Sequence, residues 1–292
     1  MIQIGQSFVQ SLGAYLSLVL TLLCVLSGLA EAQVPSNVLL RVRMIGNIAG
    51  NTSGTAFTLE VDGQQYLITA KHLVAGLKAE DTIQIYKDEQ WEPLKVKIFR
   101  CDEPIDIAVL VPPRQLTVTF SLEPTMKDIL YGQDIYFVGF PYGLFTKGKN
   151  VSGLYPLPFI KKAIMSASTG QNGAVVIFLD GHNNPGFSGG PIVYRDLSRN
   201  DFTFKLAGVV SGFRNDLSPV LQPEEIKKEE IKPEDVAQSR IMEKNGHFFR
   251  LNDTEQVVKT NTGIVIGYSI SHALDLIRRN PIGPKVSDNF EQ

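Results

Sequence analysis

A serine stands between glycines in the segment 184–191, which contains Asn-Pro-Gly-Phe-Ser-Gly-Gly-Pro. A hydroxyl that attacks a carbonyl needs a sharp turn and nearby backbone N–H groups that can face the developing oxyanion. Glycine on both sides permits the backbone angles that such a turn requires. The pattern predicts Ser188 as a nucleophile, and the alternative is a Gly-rich hairpin turn that carries an incidental serine.

A serine hydroxyl is a poor nucleophile at neutral pH until a base takes its proton, and histidine is the usual base. Of the four histidines, His182 shares a loop with the serine, His247 follows a charged segment and His272 begins a C-terminal helical pattern. His72 ends an apolar run of strand type and is therefore the predicted base. The alternative is a hydrogen-bonded histidine at the end of a strand.

An acid begins the otherwise apolar run Asp-Ile-Ala-Val-Leu at 106–110. A buried carboxylate is costly unless it has a committed partner, and a histidine N–H is such a partner because the pairing fixes the imidazole tautomer. Asp106 is therefore predicted to orient the base. Asp102 and Glu103 are competing acids, and an exposed aspartate at a strand start is the alternative.

These residues must be positioned by short strands, because period-two apolar patterns fill most of the chain and a helical period occurs only at its end. A proline-containing link separates two series of about six strands, which predicts an all-β fold of two antiparallel six-stranded β-barrels with a short C-terminal helix. The predicted units are an N-terminal barrel at 33–124 and a C-terminal barrel at 125–292. The strands are predicted at 38–45, 55–61, 65–69, 82–86, 94–100 and 105–111, then at 134–140, 162–168, 174–179, 190–194, 202–213 and 263–268, with the helix at 271–279.

The segment Leu221 to Glu243 is dense in charges of both signs and poor in large apolar residues. Such a composition does not suit a barrel strand. The sequence predicts a surface insertion at about 214–260 that is partly helical or mobile.

Composition narrows the classes of function. The chain has 292 residues with 28 Lys and Arg against 30 Asp and Glu, a formal charge of -2. A charge this close to zero provides no long-range field to recruit nucleic acid, so no nucleic-acid partner is predicted. The chain is long enough for a core that needs no disulfide or metal, and no cofactor or metal is predicted.

The first thirty residues carry no charged side chain, and residues 12–29 are almost entirely apolar. Ala30-Glu31-Ala32 follows with small residues where a signal peptidase cleaves, which predicts a signal peptide at 1–32 and a periplasmic or secreted protein. The alternative is an uncleaved membrane anchor, because the segment lacks a Lys or Arg before its apolar run. Removal of Cys24 with the signal would leave only Cys101, and an exported protein without a disulfide is typical of bacteria.

Five segments together resemble the chymotrypsin-fold serine peptidases, in particular the bacterial HtrA-like branch. They are Thr-Ala-Lys-His at 69–72, Asp-Ile-Ala-Val-Leu at 106–110, Val-Gly-Phe-Pro-Tyr-Gly-Leu at 138–144, the serine segment at 184–191, and Gly-Ile-Val-Ile-Gly-Tyr-Ser-Ile at 263–270. The resemblance extends over most of the chain after residue 32. It implies an exported serine endopeptidase that acts on peptide or protein substrates.

The resemblance also implies a role for each motif residue. His72 is general base and then acid, Asp106 orients it, and Ser188 attacks the substrate carbonyl. The backbone N–H groups of Gly186 and Ser188 form the oxyanion hole. His182, Phe187, Ser211 and Gly212 are expected to bind substrate.

Three features depart from the family pattern. Phe187 replaces the usual Asn or Asp before the nucleophile, and we expect this to change the pocket wall while catalysis survives. His182 stands where trypsin-like pockets carry an acid, so cleavage after Arg or Lys is not implied. Only 24 residues follow Tyr268, which leaves no room for the PDZ domain that usually follows. The alternative function is a non-catalytic peptide- or protein-binding module on the same fold, and the sequence predicts no oligomeric state.

Overall fold

A computed structural model describes residues 34–47, 50–147, 154–199 and 203–287. The predicted signal peptide at 1–32 lies outside these ranges. Both series of strands lie in a single unit that begins at Asn37.

The first series of strands closes into a six-stranded antiparallel barrel with the order β1-β2-β3-β6-β5-β4. Its core comes from alternation, since Ile83 and Ile85 of β4 and Leu94, Val96 and Ile98 of β5 point inward, and the lysines between the three β5 residues are exposed. The strands are β1 (Val42–Asn47), β2 (Gly50–Val61), β3 (Gln64–Thr69), β4 (Glu80–Lys87), β5 (Gln90–Arg100) and β6 (Ala108–Val111).

The second series also closes on itself. Its strands pair in the order β14-β10-β9-β8-β11-β12, and pairing of β12 with β14 completes a ring of six. Two further strands, β7 and β13, add to this sheet, and the prediction of two six-stranded barrels is confirmed. The strands are β7 (Glu123–Pro124), β8 (Asp134–Gly139), β9 (Phe159–Gln171), β10 (Ala174–Asp180), β11 (Pro191–Arg195), β12 (Phe204–Ile226), β13 (Ile241–Lys244) and β14 (His247–Ser269).

Helices are few and short in the described ranges. They are α1 (Ser36–Leu39), α2 (Pro233–Ala237) and α3 (Ser271–Arg279), with single 3₁₀ turns at Lys71–Val74, Pro141–Gly143 and Lys228–Glu230. The C-terminal helix has its predicted bounds. The strand predicted from residue 38 begins only at Val42, because α1 occupies the preceding residues. No helix within the described ranges is long and apolar enough to cross a membrane.

The charged insertion differs from its prediction. Residues 221–226 belong to β12, which continues far beyond the barrel, and β14 returns beside it along most of its length. The segment 221–243 is partly helical as predicted, since it includes a 3₁₀ turn and α2. Residues 221–226 are instead a strand outside the barrel, because pairing with β14 holds them and charged residues do not prevent such pairing.

A buried arginine ties the first barrel to the link that follows it. Arg41 is fully buried, and its guanidinium donates to the carbonyls of Asn37, Thr58 and Phe120 at 2.7 to 2.9 Å. It also contacts the Glu60 carboxylate at 3.1 Å. Burial lowers the pKa of Arg41, and the nearby Glu60 partly offsets this effect. The guanidinium thus satisfies three carbonyls, of which that of Thr58 is in a fully buried hydrogen bond.

We predict that Arg41→Met lowers the free energy of unfolding by about 3 kcal/mol, because it leaves buried carbonyls unpaired and Glu60 without its cation. Urea unfolding followed by fluorescence measures the change. Arg114→Met is the matched control, since Arg114 is exposed and should shift stability by less than about 0.5 kcal/mol. Equal effects of the two substitutions would contradict this role of Arg41.

Candidate active site

The predicted base lies where β3 ends. After Thr69 the chain enters the 3₁₀ turn Lys71–Val74, which places His72 at the surface with its side chain 48% exposed. His72 contacts Asp106 twice, since its backbone N–H donates to Oδ1 at 2.9 Å and its ring Nδ1 lies 2.7 Å from Oδ2. The two contacts fix both the backbone and the ring of the histidine relative to the carboxylate.

Asp106 lies in the loop before β6 rather than at the start of a strand. The predicted strand 105–111 begins at Ala108, because residues 101–107 form a turn closed by Cys101 N–H to Ile107 O at 3.0 Å. The Lys71 backbone N–H donates to Asp106 O at 3.3 Å, which ties this turn to the histidine segment. The turn brings the carboxylate to His72.

The competing acids are separated from the histidine. Glu103 is 86% exposed and pairs with Lys71 at 2.7 Å, and Asp102 is exposed. Of the three candidates, the structure brings only Asp106 to His72. Cys101, at the start of the same turn, is buried, and burial raises the pKa of its thiol to about 11. It is therefore protonated at neutral pH, in agreement with an inert structural cysteine.

Ser188 lies on the tight turn before β11, as its glycine neighbours predict. Gly186 has φ +102° and Gly189 has φ +83°, and a Cβ at either position would overlap a carbonyl oxygen, that of Phe140 or of Thr55. Both glycines are therefore required by backbone conformation and by close approach. The turn packs directly against the first barrel.

Thr55, in β2 of the first barrel, makes most of that contact. Its backbone N–H donates to Ser188 O at 2.9 Å, and its hydroxyl donates to Gly186 O at 2.7 Å. The same hydroxyl accepts from the Phe140 N–H at 3.2 Å. Sequence reasoning missed this residue, because a threonine in a strand carries no local sign of a partner 131 positions away.

Ser211, in β12, lies between the predicted acid and the predicted nucleophile. Its hydroxyl donates to Asp106 Oδ2 at 2.5 Å, and its carbonyl accepts from the Ser188 hydroxyl at 3.0 Å. No hydrogen bond joins Ser188 to His72 within the described ranges. Ser211 was predicted to bind substrate, and it also contacts two members of the predicted triad.

Burial alone would raise the pKa of Asp106, but hydrogen bonds from His72 and Ser211 overcome that effect and lower it below its ordinary value. The carboxyl is therefore ionised at neutral pH. An ionised carboxylate against Nδ1 keeps the proton of a neutral imidazole on that nitrogen. The other ring nitrogen, Nε2, is left as the proton acceptor.

The predicted oxyanion donors are unengaged. Within the described ranges neither the Gly186 N–H nor the Ser188 N–H donates to a backbone acceptor. The carbonyl of the Pro185–Gly186 peptide accepts from the Tyr142 N–H at 2.8 Å. Because the C=O and N–H of a trans peptide point in opposite directions, this bond turns the Gly186 N–H away from Tyr142. Tyr142 is a second residue that sequence reasoning missed.

The remaining predicted substrate-binding residues differ in their exposure to solvent. His182 is exposed in the loop before the nucleophile, and Gly212 follows Ser211 with its carbonyl accepting from Asn183 at 3.1 Å. Phe187 has no exposed surface and packs edge-on against Phe137, with ring centroids 5.0 Å apart, in the core of the second barrel. It is therefore a core residue, which corrects the expectation that it forms part of an accessible pocket wall.

One cation lies beside this loop. The Lys161 ammonium donates to His182 O at 2.6 Å and to the Asn184 side chain, and it lies 5.6 Å from the centroid of the Phe187 ring. Burial lowers the pKa of Lys161. These contacts brace the loop that carries His182 and Asn184.

The other histidines are not near Ser188. The ring of His272 accepts from the Val175 N–H at 2.8 Å, and His247 pairs with Glu225 on the charged insertion at 2.6 Å. In the described part of the chain, no three His, Cys, Asp or Glu side chains are grouped so as to hold a metal ion. The arrangement around His72 is suited to proton transfer and nucleophilic attack.

Comparison with known proteins finds similarity in the same region. The model of the trypsin-like peptidase domain matches residues 54–198, which include all three predicted triad residues. Protease Do-like 1, chloroplastic, of Arabidopsis thaliana is 31% identical over 148 residues, 48% of this chain and 30% of the relative. Serine protease Do-like HtrA of Bacillus subtilis (strain 168) is 27% identical over 149 residues, which are 51% of this chain and 32% of the relative. The chain thus spans about a third of the length of the curated relatives it matches.

Two solved structures illustrate the structural comparison. The HtrA-type protease AlgW with a tripeptide is 18% identical with a TM-score of 0.47, covering 83% of this chain and 60% of that one. The active form of the Rv3671c protease from M. tuberculosis is 16% identical with a TM-score of 0.47. The match covers 86% of this chain and 85% of that one. Residues 54–198, just under half of the chain, are therefore similar to the trypsin-like peptidase domain.

Proposed function

We propose that this protein is a serine endopeptidase that hydrolyses peptide bonds of peptide or protein substrates through an acyl-enzyme. The observation that carries the proposal is the double contact between His72 and Asp106 beside the glycine turn of Ser188. A histidine oriented by a carboxylate is what a serine nucleophile requires.

In the proposed reaction Ser188 Oγ attacks the scissile carbonyl carbon while His72 Nε2 takes the hydroxyl proton. His72 then gives this proton to the leaving amine as the C–N bond breaks, and an ester links the acyl part of the substrate to Ser188. A water molecule attacks the ester, and its proton passes to His72 and then to Ser188. Asp106 stays ionised throughout and stabilises the imidazolium.

Gly186 and Ser188 are the proposed oxyanion donors, since both N–H groups lack a backbone acceptor in the described ranges. Donors that are aimed in advance stabilise the charge that develops on the carbonyl oxygen and need no rearrangement in the transition state. The bond from Tyr142 to Pro185 O supports this role because it fixes the orientation of the intervening peptide.

The second candidate is a non-catalytic module that binds peptides on the same fold. It is favoured by the Ser188 hydroxyl, which donates to Ser211 O at 3.0 Å instead of to His72. Catalysis requires that this hydroxyl rotate to a different staggered position, a change that occurs readily for a serine side chain. A fluorophosphonate reacts only with an activated serine and therefore separates the two candidates.

We predict that the protein reacts with a fluorophosphonate at Ser188 and hydrolyses casein, and that Ser188→Ala lowers kcat about a million-fold. Mass spectrometry of the labelled peptide identifies the modified residue. Ser166→Ala is the matched control, since Ser166 is exposed on β9. Casein hydrolysis that survives in pure Ser188→Ala protein would reject the peptidase assignment.

Thr55→Val removes the hydroxyl that holds Gly186 O, and we expect it to slow fluorophosphonate labelling about 100-fold. A shift of the nucleophile turn by about 1 Å is enough to lower the reaction rate by this factor. Thr55→Ser retains the hydroxyl and should restore labelling to within a few-fold. Labelling rates are compared per folded molecule, with thermal unfolding as the second readout. A Thr55→Val protein that loses stability but labels at the wild-type rate would limit Thr55 to a structural role.

We also propose that the protein is exported, periplasmic or secreted, with residues 1–32 removed as a signal peptide. The support is the uncharged apolar run that ends at Ala30-Glu31-Ala32. N-terminal sequencing of protein produced in a bacterial host should begin at Gln33. A mature protein that still begins at residue 1 and sediments with membranes would favour the uncleaved anchor.

A further inference from the structure

The charged insertion forms a ribbon that continues two barrel strands beyond the barrel. We call residues 214–262 the arm. Along residues 215–226, β12 pairs with β14 and with no other described strand, and β13 and α2 join only at the far end. Between Asn215 and Leu221 the ribbon therefore consists of two strands.

Strand register gives the arm two different faces. Residues that are paired across antiparallel strands share a face, and so do alternate residues along one strand. The pairs Leu217–Lys259, Pro219–Val257, Leu221–Asp253 and Pro223–Leu251 lie on one face, with Phe249 and its partner Met242 farther along. The opposite face, called the polar face, carries Asp216, Ser218, Gln222, Glu224, Asn252 and Thr260, together with Val258 near the barrel and the pair Ile226–Phe248 at the far end.

The polar face is covered at the far end of the arm. Arg250 reaches from that face to Glu230 O at 2.9 Å and to the Asp235 carboxylate at 3.1 Å, so the segment with α2 packs there. Ile226 on the same face is buried. The chain thus covers the far end of its polar face and leaves the other face open.

The apolar face, formed by Leu217, Pro219, Leu221, Pro223, Met242, Phe249, Leu251 and Val257, is left largely uncovered. It also carries Lys259, Glu225 and Asp253, of which Asp253 pairs with Arg240 at 2.7 Å. Leu217 is 57% exposed and Val257 is 58% exposed, while Phe249 and Leu251 are half-buried. A two-stranded ribbon with neither face packed is marginally stable in water. Burial of the apolar face would supply the missing stabilisation.

The edge of β12 in the arm does not favour addition of another strand. The carbonyls of Asp216 and Val220 accept from side chains of β14, so the odd-numbered residues direct their N–H groups to the outer edge. Pro219 and Pro223 have no N–H, and the Leu217 N–H is bound by the Asp216 carboxylate at 3.0 Å. A partner must therefore pack on the face and not along this edge.

We propose that the apolar face packs against the apolar face of a second copy of this chain, with the two arms antiparallel about a two-fold axis. Residues 215–226 span roughly 40 Å at ~3.3 Å per residue, and two ribbon faces of this length bury on the order of 1,000 Å² in total. That area is the minimum for a specific interface. The proposal is independent of the peptidase activity.

The two ends of the apolar face carry opposite charges, and these charges meet when two arms pack antiparallel about a two-fold axis. Lys259 lies near the barrel and Glu225 near the far end, on the same face. In an antiparallel pair of arms the barrel end of one face meets the far end of the other, so Lys259 faces the partner's Glu225. Within its own chain the Glu225 carboxylate lies 2.6 Å from His247, and Lys259 would add a second contact. A two-fold axis makes the same pair twice, which is the self-complementarity that a homodimer requires.

The test is sedimentation velocity of the full chain in the Ser188→Ala background, which prevents self-digestion. We expect a dimer with a dissociation constant on the order of 10 µM. Val257→Glu should leave a monomer up to about 100 µM, because it buries two carboxylates in each dimer. Val258→Glu is the matched control, because Val258 is the next residue and is 51% exposed on the opposite face. The Val258→Glu protein should still form the dimer.

Several outcomes would overturn the proposal: a wild-type monomer at about 100 µM, equal effects of the two substitutions, or a larger assembly that Val257→Glu does not change. If the monomer binds anionic vesicles and Val257→Glu abolishes that binding, the apolar face is a membrane-binding surface instead. If Val257→Glu proves unfolded by circular dichroism, Leu217→Glu makes the same test from the other strand.

The antiparallel arrangement has its own test. Lys259→Cys combined with Glu225→Cys should give a covalent dimer on air oxidation, and neither single substitution should do so. A double variant that stays monomeric on a non-reducing gel, while the unmodified chain dimerises, would reject the antiparallel arrangement.

Discussion

The contact between Thr55 and the nucleophile turn is the constraint on which the active site depends. It joins β2 of one barrel to the turn before β11 of the other through a backbone donor and a hydroxyl. All these groups are buried, so each lost partner would cost about 1–3 kcal/mol. The glycines of the turn permit this approach, because a Cβ at Gly189 would overlap the Thr55 carbonyl. They are thus needed for packing between barrels as well as for backbone angles.

Ser211 makes the second connection between the barrels. It belongs to β12 of the second barrel, yet its hydroxyl donates to Asp106, which the first barrel supplies. The carboxylate therefore receives hydrogen bonds from His72 on one side and from Ser211 on the other, and these overcome the burial that would raise its pKa. The pKa of Asp106 therefore depends on hydrogen bonds that come from both barrels.

The sequence predicted what local patterns encode. Alternating β-branched residues predicted the strands, and the glycine-flanked serine predicted the turn of Ser188. Thr55 and Arg41 could not be predicted, because their partners lie far along the chain and neither residue stands in a distinctive motif. Phe187 was misassigned for a related reason, since its neighbours fix the turn but only the packing of Phe137 decides which way the ring points.

The arm was predicted to be partly helical or mobile because its many charges do not suit a barrel strand. In this ribbon Pro219 and Pro223 lie on alternate positions whose N–H would face outward, so neither costs a hydrogen bond with β14. Together with Asp216, which binds the Leu217 N–H, they remove three of the outward N–H groups of β12 between Leu217 and Pro223. The prolines and Asp216 therefore protect an exposed strand edge from indiscriminate pairing.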